Sequence, residues 1–413
     1  MICPTGVLSC PVAAWVLAQG SAGRHRLVAL AGVTAVVAQA TLAAGLALGS
    51  VPLELAARPV AGVACGFAVV GAPTYVNAFA PLRHRQRTAS LFQVATTVGI
   101  LAIVAAGYGA ETAVDWARPG SAAAWLQAVL GVGHAAAAAL LATGLVSAAA
   151  APSLAAAAAA ELNGDGVEPE PPPETETSAQ ARVPLLRPRG PDAAVNHDAP
   201  GTVTGNAPAT QAPPPARLMP QLLRATALPV AQQLTGINAL VSFFPIVARA
   251  LGVPPLAATF GLMAFNCAAS VAAMPLNARV GFRRSFLVGV VGCVAADVAM
   301  VGGLALAAEW PRRALCGAAS VCFVAAFELG IGLTYYPLAS RVAAAPHADR
   351  GLAWVAAVEG VLSFTTNYLY PVVVAAFPSA RDGQLACFAF FAVCGGAVLP
   401  VLWHVVPRQS EYG

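Results

Sequence analysis

The chain has 413 residues, of which 58% are hydrophobic and 10% charged, and its mean hydropathy is +0.71. This composition excludes an ordinary soluble domain, and the length leaves room for many membrane-spanning helices. The 22 basic residues, all Arg, exceed the acidic residues by four, but they are dispersed instead of forming one basic face, which argues against nucleic-acid binding. We therefore expect a polytopic membrane protein with the lipid bilayer as its surroundings and no nucleic-acid partner.

Apolar runs of about 20 residues, long enough to cross a bilayer, follow one another along the chain. Gly and Pro recur inside them, which transmembrane helices tolerate, and the short alternating segments of a membrane barrel are absent. The sequence therefore predicts an all-α membrane protein with about 11 transmembrane helices. The runs cover residues 2–19, 27–49, 53–80, 89–110, 122–151, 222–251, 256–278, 285–308, 314–340, 351–377 and 384–406.

The Arg residues predict which loops are cytoplasmic. One set of alternate loops, together with the C-terminal tail, holds eleven Arg residues, and the other set holds five. By the positive-inside rule the Arg-rich set is cytoplasmic, so the chain starts outside and ends inside. A start outside without a cleavable signal peptide suggests that a first helix is missing from the sequence.

Residues 161–220 differ from the rest of the chain because they hold 13 of the 33 prolines and 8 of the 18 acidic residues. Such composition cannot bury a core, so we expect a disordered cytoplasmic linker. The predicted domains are an N-terminal helical bundle at 1–160, this linker at 161–220, a C-terminal bundle at 221–407 and a cytoplasmic tail at 408–413.

The nine cysteines form no C-x-x-C pair and none lies in a predicted outside loop, so neither a metal site nor a disulfide framework is expected. We interpret them as small buried packing residues. The sequence also has no phosphate loop or nucleophile elbow. We therefore expect no cofactor and no enzymatic activity.

The run QQLTGINA at residues 232–239 places three carboxamides inside an apolar span. Unpaired polar groups are costly there, so these side chains need hydrogen-bond partners. Gln233 and Asn238 are five residues apart and would diverge by about 140° on a straight helix. If they serve one site, the helix must break, and Gly236 between them is where we expect the break.

These residues lie in motifs that resemble the sugar porter family of the major facilitator superfamily, the glucose-transporter type. QQLTGINA resembles the signature of the family's seventh helix, and FELGIG at 327–332 resembles that of the tenth. Gln93 with Gly99 resembles the fifth helix, Asn266 the eighth, and Arg350 opens the eleventh. In this alignment the first apolar run corresponds to the second helix of the family, and the two bundles are a parallel repeat.

The resemblance implies a hexose site between the two bundles. Sugar hydroxyls both donate and accept hydrogen bonds, as amides do, although interhelical bonding remains the alternative for each single amide. The candidate substrate-binding residues are Gln93, Gln232, Gln233, Asn238, Asn266, Glu328, Tyr336 and Glu359.

Several candidates depart from the family pattern. Tyr336 and Gly360 stand at positions where the family has Trp, and Glu359 stands where it usually has Asn, so Glu359 tunes the substrate or couples a proton. Glu328 either accepts a hydrogen bond from a sugar hydroxyl or ties its helix to a neighbour. For Asp297, which matches no family motif, we expect a hydrogen bond between helices.

The predicted inner gate also departs from the family. Acids at the cytoplasmic ends of the fourth and tenth family helices pair with Arg residues in the turns, but here those positions are Ala78 and Arg341. Arg341 would face like charges, which predicts a weakened outward-facing state. The candidate gating residues are Arg85, Arg283, Arg341, Arg350 and Gly236.

The sequence as a whole predicts a monosaccharide carrier that works by alternating access. Facilitated diffusion is the expected mode because the first family helix, which carries an acid in proton-coupled relatives, is not in the sequence. A proton-coupled sugar or polyol symporter is one alternative, and a transport-deficient sugar sensor or truncated gene product is another. We expect a plasma-membrane protein for which a monomer suffices.

Overall fold

The computed structural model describes residues 4–79, 82–113, 218–342 and 347–406, and the regular structure in these ranges is helical throughout. The predicted span at 122–151 and most of the predicted linker at 161–220 lie outside the described residues. The helices are α1 (Pro4–Leu17), α2 (Ser21–Leu48), α3 (Val51–Phe79), α4 (Leu82–Ala113), α5 (Leu218–Leu234), α6 (Ile237–Ala250), α7 (Pro255–Val280), α8 (Phe282–Ala305), α9 (Glu309–Ala326), a π-helical segment (Phe327–Gly332), α10 (Leu333–Val342), α11 (Ala348–Ala375) and α12 (Ala380–Val405).

Eight helical stretches of the described residues are long and apolar enough to cross a membrane. Two of them are composite: Leu218–Ala250 combines α5 with α6, and Glu309–Val342 runs from α9 through the π-helical segment to α10. Every predicted apolar run within the described residues is helical, and the prediction of an all-α protein is confirmed.

The span that contains α5 and α6 is broken at the predicted residue. α5 ends at Leu234, and Gly236 adopts φ +79° and ψ 13°, in the left-handed region where side chains are strained. A Cβ at Gly236 would also lie 2.6 Å from the Phe391 ring of α12. Glycine is therefore required here both by the backbone conformation and by a neighbouring helix.

The π-helical segment interrupts the next composite span and was not predicted. Its Gly330 lies so close to Gly289 of α8 that a Cβ on Gly289 would lie 2.6 Å from the Gly330 Cα. Small residues allow such close approach of membrane helices. The segment places Glu328 in a widened turn, a feature found often at functional sites.

Helix packing joins the part of the chain before residue 114 to the part after residue 217. α1 packs against α3 and α11, α4 packs against α7, and α5 packs against α11 and α12. The prediction that all the cysteines are buried is wrong for two of them, since Cys65 and Cys322 are exposed.

Candidate functional site

Glu328 is the centre of a buried hydrogen-bonded group contributed by three helical elements. Its side chain is 1% exposed. Nε2 of Gln93, in α4, lies 3.0 Å from Oε1 and 3.3 Å from Oε2, and the Ser270 hydroxyl of α7 lies 2.8 Å from Oε2. The group therefore connects the fifth and tenth family helices through a carboxyl that lacks a cationic partner among the described ion pairs.

Glu359 is the centre of a second group, but its contacts are longer. Gln232 of α5 donates from Nε2 to Oε1 at 3.3 Å, and the Tyr336 hydroxyl donates to Oε2 at 3.5 Å. Glu359 is only half-buried. The oxygen of the Gln232 amide, Oε1, is buried and has no hydrogen-bond partner among the residues that the structure describes.

The break at Gly236 brings Gln233 and Asn238 together. Asn238 Nδ2 donates to Gln233 Oε1 and, at 2.8 Å, to the Ser363 hydroxyl of α11. Gln233 is 2% exposed. Ser363 follows Glu359 by one helical turn, so this pair and the Glu359 group face the same side of α11.

Aromatic contacts connect the Glu328 and Glu359 groups. Phe92, next to Gln93 on α4, packs edge-on against the Tyr336 ring with centroids 4.7 Å apart. The candidate residues of α4, α5, α10 and α11 are thus connected through direct contacts. Tyr336 is 8% exposed, so its ring packs against protein on most sides.

One candidate amide, Asn266, and one buried acid, Asp297, have polar atoms without hydrogen-bond partners among the described residues. Asn266 is 3% exposed, and its Oδ1 is buried without a hydrogen bond from the described residues. Asp297 is 1% exposed, and neither of its carboxyl oxygens has a partner there. The expected hydrogen bond between Asp297 and a neighbouring helix is therefore not found within the described part of the chain.

The predicted gating arginines differ in their surroundings: two pack over aromatic rings, one is exposed, and the side chain of the fourth is not described. The Arg341 guanidinium lies 5.2 Å from the centroid of the Phe282 ring, and Arg283 donates to the Trp403 carbonyl at 2.6 Å while packing over the Trp403 ring. Arg350 is exposed in the first turn of α11. Arg85 lies in α4, but its side chain is outside the described part of the structure.

An ion pair that was not predicted from the sequence lies at the same end of the molecule as these arginines. Arg24 of α2 and Asp349 of α11 are 2.7 Å apart. Ser270 and Ser363 were also missed as partners of the site, since a single hydroxyl in an apolar run carries little sequence signal. Their positions one turn from Asn266 and Glu359 are the feature that identifies them.

Comparison with solved structures shows the fold class. The chain is similar to the proton:xylose symporter XylE of E. coli, solved with bound 6-bromo-6-deoxy-D-glucose, at a TM-score of 0.66 and 16% identity. The match covers 98% of this chain and 85% of XylE. The fold is that of the major facilitator superfamily.

The sequence relatives include glucose transporters. Glucose transporter 1E of Trypanosoma brucei brucei is 28% identical over 171 residues, covering 40% of this chain and 32% of that protein. Facilitated glucose transporter member 3 of solute carrier family 2, from Oryctolagus cuniculus, is 31% identical over 170 residues, covering 40% and 33%. The matched part of the chain spans about a third of these curated relatives.

The helical fold, with eight described stretches long and apolar enough to cross a membrane, is that of a polytopic membrane protein. The family described as "Sugar (and other) transporter" matches residues 12–146 and 215–411, and the chain belongs to this family. Its members are transporters and not enzymes, in agreement with the sequence prediction. The chain is a multi-pass membrane protein of the sugar porter type.

Proposed function

We propose that the protein carries a hexose across the membrane by alternating access between two helical bundles, the predicted N-terminal bundle at 1–160 and C-terminal bundle at 221–407. The observation that supports this most is that two candidate residues, Gln232 and Asn266, are among the four of the described part of the chain whose amide oxygen is buried without a hydrogen-bond partner. Unsatisfied buried acceptors cost about 1–3 kcal/mol each. Sugar hydroxyls are donors that satisfy them.

The remaining candidates supply the complementary chemistry. The amide nitrogen of Gln93 donates to the Glu328 carboxyl alone, so its second hydrogen is available to a sugar oxygen, whereas Asn238 already donates to Gln233 and Ser363 and would have to exchange one of these bonds. Gln233, which precedes the break, accepts a hydrogen bond from Asn238, which follows it. The Tyr336 hydroxyl, which donates to Glu359 at 3.5 Å, adds a group that can both donate and accept hydrogen bonds.

Downhill transport is the simplest mode and matches the relatives that are described as facilitated glucose transporters. Proton-coupled symport is the second candidate. It is favoured by Glu359, a carboxyl at membrane depth without a cationic partner among the described ion pairs, and by the similarity to a proton:xylose symporter. We place the carrier in the plasma membrane and consider one chain sufficient.

Counterflow exchange in liposomes tests the proposal. Purified protein in vesicles preloaded with unlabelled glucose is expected to accumulate labelled glucose transiently and saturably. Gln233→Ala is expected to lower this exchange at least tenfold, whereas Gln19→Ala, at an exposed position, leaves it unchanged. Absence of exchange by the wild type with retained glucose binding would favour a sugar sensor, and absence of both would overturn the proposal.

A further inference from the structure

We propose that Cys65 of α3 lies in a water-filled cleft that leads to the candidate sugar site, and that its thiol is a modification site through which water-soluble thiol-reactive compounds block transport. The block of transport rests on the proposed hexose carrier, whereas the access of water to Cys65 does not. Two features support this assignment: the face of α3 on which Cys65 lies, and the residues that surround its thiol.

The exposed face of α3 carries a charged residue inside the membrane span. Arg58, Ala61 and Cys65 are all exposed, and their i, i+3 and i+7 spacing places them within about 60° of one another around the helix. Arg58 follows Val51, where the span begins, by about 10 Å along the helix axis. Charged residues at such depth face protein or a water-filled cavity instead of lipid. This face of α3 is therefore in contact with water.

The other exposed cysteine, Cys322 of α9, lies on a face of the same geometry that has no charge. Leu315, Ala318 and Cys322 repeat the i, i+3 and i+7 spacing and are all exposed. Leu315 takes the place that Arg58 has on α3, so this face is apolar and suited to contact with lipid tails. Cys322 is thus a natural control for Cys65.

The neighbours of the Cys65 thiol come from three other helices. Cys65 lies close enough to Glu359 of α11 and Tyr336 of α10 to interact electrostatically with both, and Cys10 of α1 is a further neighbour. A side chain that is exposed on an outer, lipid-facing surface is not surrounded in this way. Cys65 therefore borders a cleft, and since Glu359 and Tyr336 are candidate substrate-binding residues, the cleft leads to the candidate sugar site.

Polar groups beside this cleft lack partners that a solute could supply. The Tyr335 side chain is 1% exposed, and its hydroxyl faces Glu359 without a hydrogen bond of ordinary geometry. Gln232 bonds to Glu359 through Nε2, and its buried Oε1 has no partner among the described residues. Buried polar groups are normally satisfied by protein, water or a ligand. A hydroxylated solute that satisfies these groups would lie next to the Cys65 thiol.

Of the two thiols near Glu359, only Cys65 is available for reaction. Cys10 is 4% exposed, and its thiol donates to the carbonyl oxygen of Gly6 at 3.5 Å. Cys65 is exposed and makes no hydrogen bond with the residues that the structure describes. The thiolate is the reactive form of cysteine, and contact with water favours it over apolar surroundings. Cys65 is therefore the thiol that we expect to react.

A methanethiosulfonate is a suitable reagent because its reaction requires water and leaves a bulky group. The Cys65 thiol gives its proton to water, and the thiolate sulfur attacks the divalent sulfur of the reagent. A new S–S bond forms, the S–S bond to the sulfonyl group breaks, and methanesulfinate leaves with the electron pair. The group that remains on Cys65 fills the cleft beside Glu359 and Tyr336 and obstructs the path of a hexose.

The test treats the purified full chain in liposomes with 2-sulfonatoethyl methanethiosulfonate on both sides of the membrane, and quantifies each modified cysteine by peptide mass spectrometry. We expect Cys65 to be modified and Cys322 to remain unmodified. D-Glucose at about ten times its dissociation constant should slow the modification of Cys65 roughly tenfold, since about nine in ten sites are then occupied. L-Glucose at the same concentration is the control for osmotic effects.

Transport is measured on the same vesicles. Glucose exchange by the wild type should fall in proportion to the modification of Cys65 and return after reduction with a soluble thiol. Exchange by Cys65→Ser should be the same before and after treatment. In a Cys65→Ser, Cys322→Ser background, Ala61→Cys should be modified and Ala318→Cys should not, which tests the two helix faces without either natural thiol.

The outcomes separate this inference from the proposed function. An unmodified Cys65, or equal modification of Cys65 and Cys322, would overturn the water-filled cleft, whether or not the protein exchanges glucose. Modification of Cys65 that neither D-glucose slows nor exchange reflects would overturn its place beside the sugar path. If Cys65 is modified selectively but the wild type exchanges no glucose, the carrier fails while the cleft stands.

Discussion

Arg24, in the first turn of α2, donates a hydrogen bond to Asp349, in the first turn of α11, across 325 positions of sequence. Both side chains are about a quarter exposed. The Asp349 carboxylate lies near the N-termini of α2 and α11, where the helix dipole favours a negative charge. It therefore compensates the positive charge of Arg24, which the dipole of α2 disfavours at this end of the helix. The pair ties the two parts of the chain together at the end predicted to be cytoplasmic, where the family acids are replaced by Ala78 and Arg341.

We expect this pair to hold the inner gate partly closed. Asp349→Ala should shift the equilibrium toward the inward-open state by up to about 1 kcal/mol, or roughly fivefold, because partly exposed ion pairs contribute that much. The measurement is the labelling rate, from the cytoplasmic side, of a cysteine introduced in the inner vestibule. Arg24→Asp combined with Asp349→Arg should restore the wild-type labelling rate. If the swapped protein were labelled as fast as Asp349→Ala, the role of the pair would be contradicted.

Arg341→Glu tests the weakened clamp. A carboxylate at position 341, whose present side chain packs over Phe282, would stand near Arg283 and favour the closed inner gate. We expect slower labelling from the cytoplasmic side and slower exchange. Arg341→Gln, which removes the charge without reversing it, should have a smaller effect, and unchanged accessibility in Arg341→Glu would refute the clamp argument.

Gly236→Ala should destabilise the protein. The left-handed conformation costs a side chain about 1–2 kcal/mol, and the added Cβ meets the Phe391 ring. The matched control is Gly261→Ala in α7, where nothing lies within 4 Å of the added Cβ. We expect a lower midpoint of thermal unfolding for the first variant only; equal midpoints would mean that the break is not as tightly specified as the contacts imply.

The close approach of α8 to the π-helical segment leads to another prediction. Gly289→Ala would push a methyl group against the backbone of Gly330 and Ile331, and overpacking of this kind costs about 1–3 kcal/mol. Gly302→Ala, on the same helix but with open space around it, is the control. The comparison is made by SDS unfolding in mixed micelles, where similar stabilities of the two variants would contradict the packing.

The bond between Gln93 and Glu328 is suited to a double-mutant cycle. Gln93→Ala and Glu328→Gln each alter a buried hydrogen-bonded group, so each is expected to cost about 1–3 kcal/mol of unfolding free energy. Since the residues are direct partners, the double variant should cost less than the sum of the two. Additive effects, within measurement error, would show that the two residues do not stabilise each other.

The sequence predicts the helices well because their signal is the length of each apolar run. It also predicts the break at Gly236, since the angular separation of Gln233 and Asn238 cannot be reconciled with a straight helix. The π-helical segment could not be predicted, because its residues are equally compatible with an α-helix. Its register depends on the contact of Gly330 with Gly289, which only the fold creates.

Pairings across the fold were the least predictable part of the site. Motif resemblance assigned Gln232 and Glu359 separately, but nothing in the sequence said that they share a hydrogen bond. The same is true of Arg24 and Asp349, whose separation along the chain hides their proximity. Charge and polarity identify which residues need partners, whereas the helix packing decides which partners they obtain.

The break at Gly236 has a consequence for how the transport path tolerates change. α5 ends and α6 begins in the middle of one membrane span, so the terminal peptide groups of two helices lie at membrane depth. These main-chain dipoles are present whichever side chains surround them. Substitution can retune the site for another solute, but the polar character of this point is built into the backbone and is lost only if the helix becomes continuous.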